Sequence, residues 1–398
     1  MRMPNAAGRY CRRMRILVTV NDAYGHVLPL VPTLRRMRDR RHEVVLASPG
    51  DRIASLGLDG IRLWRYPWAP PDNPPAPPTD PDPAHRLAWA TTLSFPHDAR
   101  GWVEALLADA RRFRPDLIVS EPVEHAGRVV AAALGVPLVE HGWGFTLPAG
   151  TDSAGAAGLG DVYAAAGTAP REPDLRVDLG PAAVQAPDAQ PHVARYRHVP
   201  WSIPTAALPP PGKLPRVLLT LGTYPHPGAD QRLRAAARAA STLGVELVVA
   251  LGNADRGSAG TGWPAGVRVT DWIDLPAESA RCTLVIHHAG AGSCWAALAA
   301  GVPAVCLPQA ADQFRNAALV ARAGAGVVVE PAVGEVADLR ASFAAALGED
   351  LSGSSRGAGP DGSRSSLADG AARVRDDNAA LEGTDALVDR IEAVGSAG

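Results

Sequence analysis

The sequence predicts an α/β protein built from two doubly wound parallel sheets, one in each half of the chain. From residue 15 to residue 140, short β-branched and leucine runs alternate with helical stretches. That strand–loop–helix–strand rhythm winds a parallel sheet. The same rhythm restarts at residue 216 and runs to residue 330. Between the two lies Pro204 to Pro215, a proline-rich segment that reads as a stiff exposed linker. The expected division is therefore 1–203, linker 204–215, 216–380, and a closing segment 381–398. A chain of 398 residues is long enough for each half to bury its own core.

Taken in order, residues 15–20 form the first strand and a helix is expected from about Val27 to Arg40, where Leu30, Val31, Leu34 and Met37 share one face. Strands follow at 43–48 and 61–66. Pro67 to Pro83 carries nine prolines and can be neither helix nor inner strand. A helix from about Ala99 to Phe113, a strand at 117–120, a helix at 123–134 and a strand at 137–140 continue the pattern. Residues 142–200 have weak periodicity, with 175–179 expected as the last strand of the first domain. The second domain shows strands at 216–221, 246–251, 267–270, 283–287, 304–307 and 326–330. Residues 348–366 read as a Ser/Gly/Asp/Arg loop, and one helix over about 368–394 closes the chain.

Composition excludes several classes. A net charge near −2 with 20% charged residues lacks the basic excess of nucleic-acid binders. No apolar run approaches the roughly 20 residues that span a bilayer. The basic N-terminal segment runs straight into a strand without an apolar signal region, so a cytoplasmic protein is expected, with Met14 as an alternative start. Cys11, Cys282, Cys294 and Cys306 show no CxxC spacing and read as buried free thiols of a reducing compartment.

The most informative stretch is His287 to Gln313, HHAGAGSCWAALAAGVPAVCLPQAADQ. An apolar strand ends in two histidines, a Gly-Ala-Gly turn and an alanine-rich helix. Such a turn leaves unpaired N–H groups at the positive end of the helix dipole. Gly290 and Gly292 allow close backbone approach to an anion, and Ser293 can act as N-cap or offer its hydroxyl to a phosphate. His288 adds a ring N–H donor. Together they predict a diphosphate cradle.

The order Trp272, His288-x-Gly-x-Gly-Ser293, Gly301-Val-Pro303, Asp312-Gln313 resembles the nucleotide-sugar site of glycosyltransferases with two facing Rossmann-like domains, the GT-B fold. Among these it is most similar to bacterial enzymes that attach sugars to natural products. The resemblance implies that Trp272 stacks on the nucleotide base and that the backbone of Ile273 pairs with its edge. It implies further that Asp312 and Gln313 bond sugar hydroxyls, and that Thr223 contacts the phosphate or the acceptor. It gives His26, in Gly25-His26-Val-Leu-Pro29, the role of general base, a task suited to imidazole. Glu121, where many relatives carry aspartate, would orient His26, with Glu124 as a stand-in. The closing helix is expected to pack back on the first domain.

The implied co-substrate is a TDP- or UDP-sugar, a TDP-deoxysugar by preference, with no further cofactor and no metal. Asp80-Pro-Asp82 spells a metal-binding DxD but lies in the proline-rich loop. The acceptor, a small-molecule aglycone, is expected against Trp68, Trp89, His141 and Trp143, while other aromatics of the first domain, Trp64 and Trp102 among them, compete for core positions. Inversion at the anomeric carbon follows from a single displacement. A sugar-nucleotide 2-epimerase and a non-catalytic helper homologue stay open as alternatives, as do a homodimer and a need for a helper protein.

Overall fold

The computed structural model describes residues 3–4, 10–67, 72–79, 82–223, 228–252, 262–329, 336–348 and 366–397. Trp68, Asp80 and the loop at 349–365 lie outside the described residues. The chain forms two compact units, Met1–Trp201 with Ala380–Gly398, and Ser202–Ala379.

The first unit holds a seven-stranded sheet: β1 Arg15–Thr19, β2 Glu43–Ser48, β3 Arg62–Arg65, β4 Leu117–Ser120, β5 Leu138–His141, β6 Leu175–Leu179 and β7 Ala194–Tyr196. All are parallel, in the order β3-β2-β1-β4-β5-β6-β7. Ile16, Leu17 and Val18 of β1, and Leu117, Ile118 and Val119 of β4, are fully buried, as expected for strands covered on both faces. The sheet extends one strand beyond 175–179. β7 reads Ala-Arg-Tyr, with no apolar run to announce it, and is defined by pairing Val177 with Ala194 and Leu179 with Tyr196.

The second unit holds a six-stranded parallel sheet: β8 Arg216–Thr220, β9 Glu246–Ala250, β10 Arg268–Thr270, β11 Leu284–His287, β12 Ala304–Cys306 and β13 Gly326–Val328, in the order β10-β9-β8-β11-β12-β13. All six lie where the apolar runs predict. Its core is made by Val217, Leu219, Leu247, Val249, Leu284 and Ile286 with the helix faces over them. Cys282, Cys294 and Cys306 are buried and free, and burial pushes the Cys282 and Cys306 thiols up to about 12. The segment 204–215 is tied to this unit: Arg216 donates to the Pro209 carbonyl at 2.7 Å and Arg281 to that of Leu208 at 2.9 Å.

Two helices differ from expectation. The first is cut by Pro29 and Pro32 into helix Tyr24–Val27, a 3₁₀ turn Leu28–Leu30 and helix Val31–Asp39. The closing helix is two, Leu367–Ala380 and Thr384–Ala397. At the break Arg197 takes up the freed carbonyls, its backbone N–H reaching Glu382 at 2.8 Å and its guanidinium Leu381 at 3.1 Å. Among the described residues no helix is long and apolar enough to cross a membrane.

Helix Thr384–Ala397 packs on helix Val31–Asp39 through a cluster of charges. Arg40 bonds Asp389 at 2.5 Å, Asp385 at 3.0 Å and Glu392 at 3.1 Å. His42 Nδ1 accepts from the Met14 N–H, so Nε2 carries the proton and donates to Glu392 at 2.8 Å. Glu392 and His42 are almost wholly buried, and a buried pair is costly to break from one side. Glu392→Ala should therefore lower stability by about 2–4 kcal/mol. Glu392→Gln should lose less. Thermal unfolding measures both, and an unchanged midpoint for the alanine variant would show that the clamp contributes nothing.

Candidate active site

In each sheet the connections leave in opposite directions from one adjacent pair of strands, β1 and β4 in the first, β8 and β11 in the second. At such a switch point the loops at the carboxyl ends part and leave a crevice. The principal site residues of each unit sit on those loops.

In the first unit, His26 follows β1 and Glu121 follows β4. Thr19 and Ser120 are paired in register at the ends of these strands, which brings residues far apart in the chain together. His26 Nδ1 lies 2.9 Å from Glu121 Oε1. The same oxygen accepts from the Asn21 backbone N–H at 3.3 Å and the Asn21 side-chain amide at 2.7 Å, while Oε2 accepts from the Val123 N–H at 2.9 Å. Every other donor to this carboxylate is an N–H, so the carboxylate accepts throughout and His26 Nδ1–H is one more donor. Glu121 is fully buried, and the His26 side chain keeps 19% of its surface exposed. Trp143 meets the imidazole edge-on with centroids 4.9 Å apart, and Phe95 lies at 5.5 Å.

Glu124 does not stand in for Glu121. Its carboxylate accepts from the Ala126 N–H at 2.6 Å and the Gly127 N–H at 2.8 Å, at the start of helix Ala126–Leu134. Burial pushes it up to about 7.

His141 is also placed differently from expectation. It is fully buried, with Nε2 against the Thr33 hydroxyl at 3.0 Å and Nδ1 against the Gly142 carbonyl at 2.9 Å. Both nitrogens serve the interior, and desolvation lowers the ring to about 4, so it stays neutral. Of the expected aromatic wall, Trp143 adjoins His26 and Trp89 is half-buried where helix Pro83–Trp89 passes into a π-helical turn, Ala90–Ser94. Trp102 packs against Tyr66 in the core, and Trp64 against Phe113. Asp82 caps helix Pro83–Trp89, accepting from the Ala84 N–H at 2.8 Å.

In the second unit, Gly222 and Thr223 follow β8, and His288 follows β11. The His288 ring is held between two glycines. A Cβ at Gly222 would lie 2.3 Å from its Cε1, and a Cβ at Gly290 would lie 2.4 Å from its Nε2. Gly222 also has φ +80, a conformation open to glycine. Helix Ala291–Ala300 begins with Gly290 as N-cap, so Ser293 is not the cap but the third helical residue, its N–H bonded back to Gly290 at 3.0 Å. The N–H groups of Ala291 and Gly292 precede the first intrahelical donor, Ser293. His287 points inward, its Nδ1 accepting from the Ala289 N–H at 3.0 Å, and burial lowers it to about 3.

Trp272 and Ile273 follow β10, at the same carboxyl edge of the sheet. Trp272 is half-buried, whereas the Ile273 side chain packs in the core beside Leu218, Val248 and Val285. Asp312 and Gln313 follow β12, beside β11. Asp312 occupies the N-cap position of helix Gln313–Arg322 without a capping bond; its Oδ2 accepts from Asn316 at 2.7 Å. Gln313 is buried, and its Oε1 accepts from the N–H groups of Gln309 and Ala310 at 2.8 and 3.1 Å. Its carbonyl therefore braces the preceding turn. Asn21 and Gly222 are site residues that sequence reading missed; neither stands in a motif, and each gains its place only from strand pairing.

Residues 87–222 match the N-terminal domain, and residues 234–357 the C-terminal domain, of the family described as erythromycin biosynthesis protein CIII-like. The elloramycin glycosyltransferase ElmGT of Streptomyces olivaceus is 34% identical over 348 residues, 82% of this chain and 88% of that protein. The L-demethylnoviosyl transferase of Streptomyces niveus is 32% identical over 336 residues, 79% of this chain and 84% of that protein. Among solved structures, the spinosyn rhamnosyltransferase SpnG complexed with spinosyn aglycone superposes with a TM-score of 0.80 at 26% identity, over 95% of this chain and 100% of that one. Glycosyltransferase SsfS6 of Streptomyces sp. SF2575, complexed with thymidine diphosphate, gives 0.77 at 26% identity, over 96% and 100%. The chain belongs to the erythromycin biosynthesis protein CIII-like family, bacterial natural-product glycosyltransferases of the GT-B fold that use nucleotide sugars.

Proposed function

We propose that this enzyme moves a hexose, by preference a deoxyhexose, from a TDP- or UDP-sugar to a hydroxyl of a natural-product aglycone, with inversion and without metal. The observation that carries the reading is the 2.9 Å contact between His26 Nδ1 and Glu121 Oε1. With Nδ1–H committed to the carboxylate, Nε2 removes the proton of the acceptor hydroxyl. The acceptor oxygen attacks the anomeric carbon as the bond from that carbon to the diphosphate oxygen breaks. One displacement inverts the centre, and the nucleotide diphosphate departs with the bonding pair. The positive imidazolium left behind is stabilised by Glu121.

Charge growing on the leaving diphosphate is met by His288 and by the N–H groups of Ala291 and Gly292, donors already fixed before reaction. Trp272 stacks on the base, with the Ile273 backbone at its edge, Thr223 beside the phosphate or acceptor, and Ser293 offering a hydroxyl. Asp312 bonds sugar hydroxyls; Gln313 contributes through its amide nitrogen. Trp143 and Trp89 form the acceptor side. The TDP preference draws on the thymidine diphosphate named for SpnG and SsfS6. Glu121 stands where many relatives carry aspartate, which leans towards a non-catalytic helper. Its bond to His26 favours catalysis.

His26→Ala is expected to lower kcat by about 10²-fold or more while TDP binding persists. Glu121→Ala should cost a similar factor and add little to His26→Ala, because the pair acts as a unit. Steady-state kinetics on the single and double variants decides, and full activity in His26→Ala would remove it from the mechanism. His288→Ala is expected to weaken TDP or UDP binding by calorimetry. Gly222→Ala should displace the same ring, weakening binding and costing about 1–3 kcal/mol of stability; unaltered affinity in both variants would refute the diphosphate assignment.

A further inference from the structure

We propose that Asn316 is the positioning residue that joins the diphosphate turn to the sugar-side carboxylate. The inference rests on the donor-site reading above and extends it to a residue outside the motif. Asn316 is 1% exposed, in the first turn of helix Gln313–Arg322. Its Nδ2 donates to the Ala289 carbonyl at 3.1 Å and to Asp312 Oδ2 at 2.7 Å. Both partners are pure acceptors, so the amide orientation is determined and each of its two hydrogens has a place.

Ala289 has φ +64, a left-handed backbone that an L side chain adopts only under constraint. It stands between His288 and Gly290, and its peptide sets the direction in which the following N–H groups face. Its side chain is fully buried, and its carbonyl is held by Asn316. The same amide holds the Asp312 carboxylate, so one side chain spaces the diphosphate turn from the group that meets the sugar. Such bracing of a site by a buried neighbour is what keeps donors in place before the ligand arrives.

The role requires a donor. Aspartate at 316 has the same shape but offers an acceptor to a carbonyl and a negative charge to Asp312, and alanine simply removes the brace. Calorimetric titration of TDP and of UDP into wild type, Asn316→Ala and Asn316→Asp tests this, with thermal unfolding alongside and, for the active variants, separate KM values for donor and acceptor. Affinity is expected to fall roughly ten-fold in the alanine variant and further in the aspartate variant. The donor KM should rise while the acceptor KM holds. Folded variants that bind as wild type does would overturn the inference and leave the donor site intact. If Asn316→Asp unfolds the protein, the residue belongs to the fold and the inference also falls. Failure of wild type itself to bind either nucleotide would refute the donor-site reading, and this inference with it.

Discussion

The site depends first on a topological constraint. In each parallel sheet one adjacent pair of strands sends its connections to opposite sides, and only there do the carboxyl-end loops part. β1 and β4 place His26 beside Glu121, and β8 and β11 place Gly222 beside His288. His26, Glu121, Gly222 and His288 are attached to those two strand pairs, while Trp272 and Asp312 lie on the loops after β10 and β12. Fully buried strands of Ile, Leu and Val hold the pairs rigid, so short loops with few degrees of freedom suffice to aim the side chains.

The two histidines are fixed by different physics. His26 is oriented by a hydrogen bond to a buried carboxylate that is itself held by Asn21 and the Val123 N–H. Its Nδ1 is thereby committed to the carboxylate, and Nε2 is the nitrogen proposed as the base. His288 is oriented by shape, between two glycines whose missing Cβ atoms make its slot. A base needs an electronic partner, whereas a donor to a leaving group needs a fixed position. The structure supplies each with what its proposed task demands.

Much of this was legible in the sequence, for physical reasons. A strand buried on both faces must be a continuous apolar run, so 117–120 and 284–287 announce themselves. Glycines at 290 and 292 after such a run signal a turn built for close approach. What was not legible arises from contacts distant in the chain. β7 has no apolar signature and exists through its pairing with β6. His141 reads like a site histidine because it ends a strand, yet Thr33, 108 residues earlier, engages its Nε2 in the interior. Asn21 lies 100 residues from the Glu121 it holds. Ser293 looked like a cap, but Gly290 occupies that position and moves the helix start upstream. The break at 381–383 is bonded by Arg197, a partner distant in the chain.

The turn after β11 is proposed to hold the diphosphate of a pyrimidine nucleotide. The most direct measurement is a calorimetric comparison of TDP, UDP, ADP and GDP binding to the intact protein in chelator, without added metal. Binding of TDP or UDP well above that of both purine nucleotides is expected. Binding of none of the four, or equal binding of all, would contradict it.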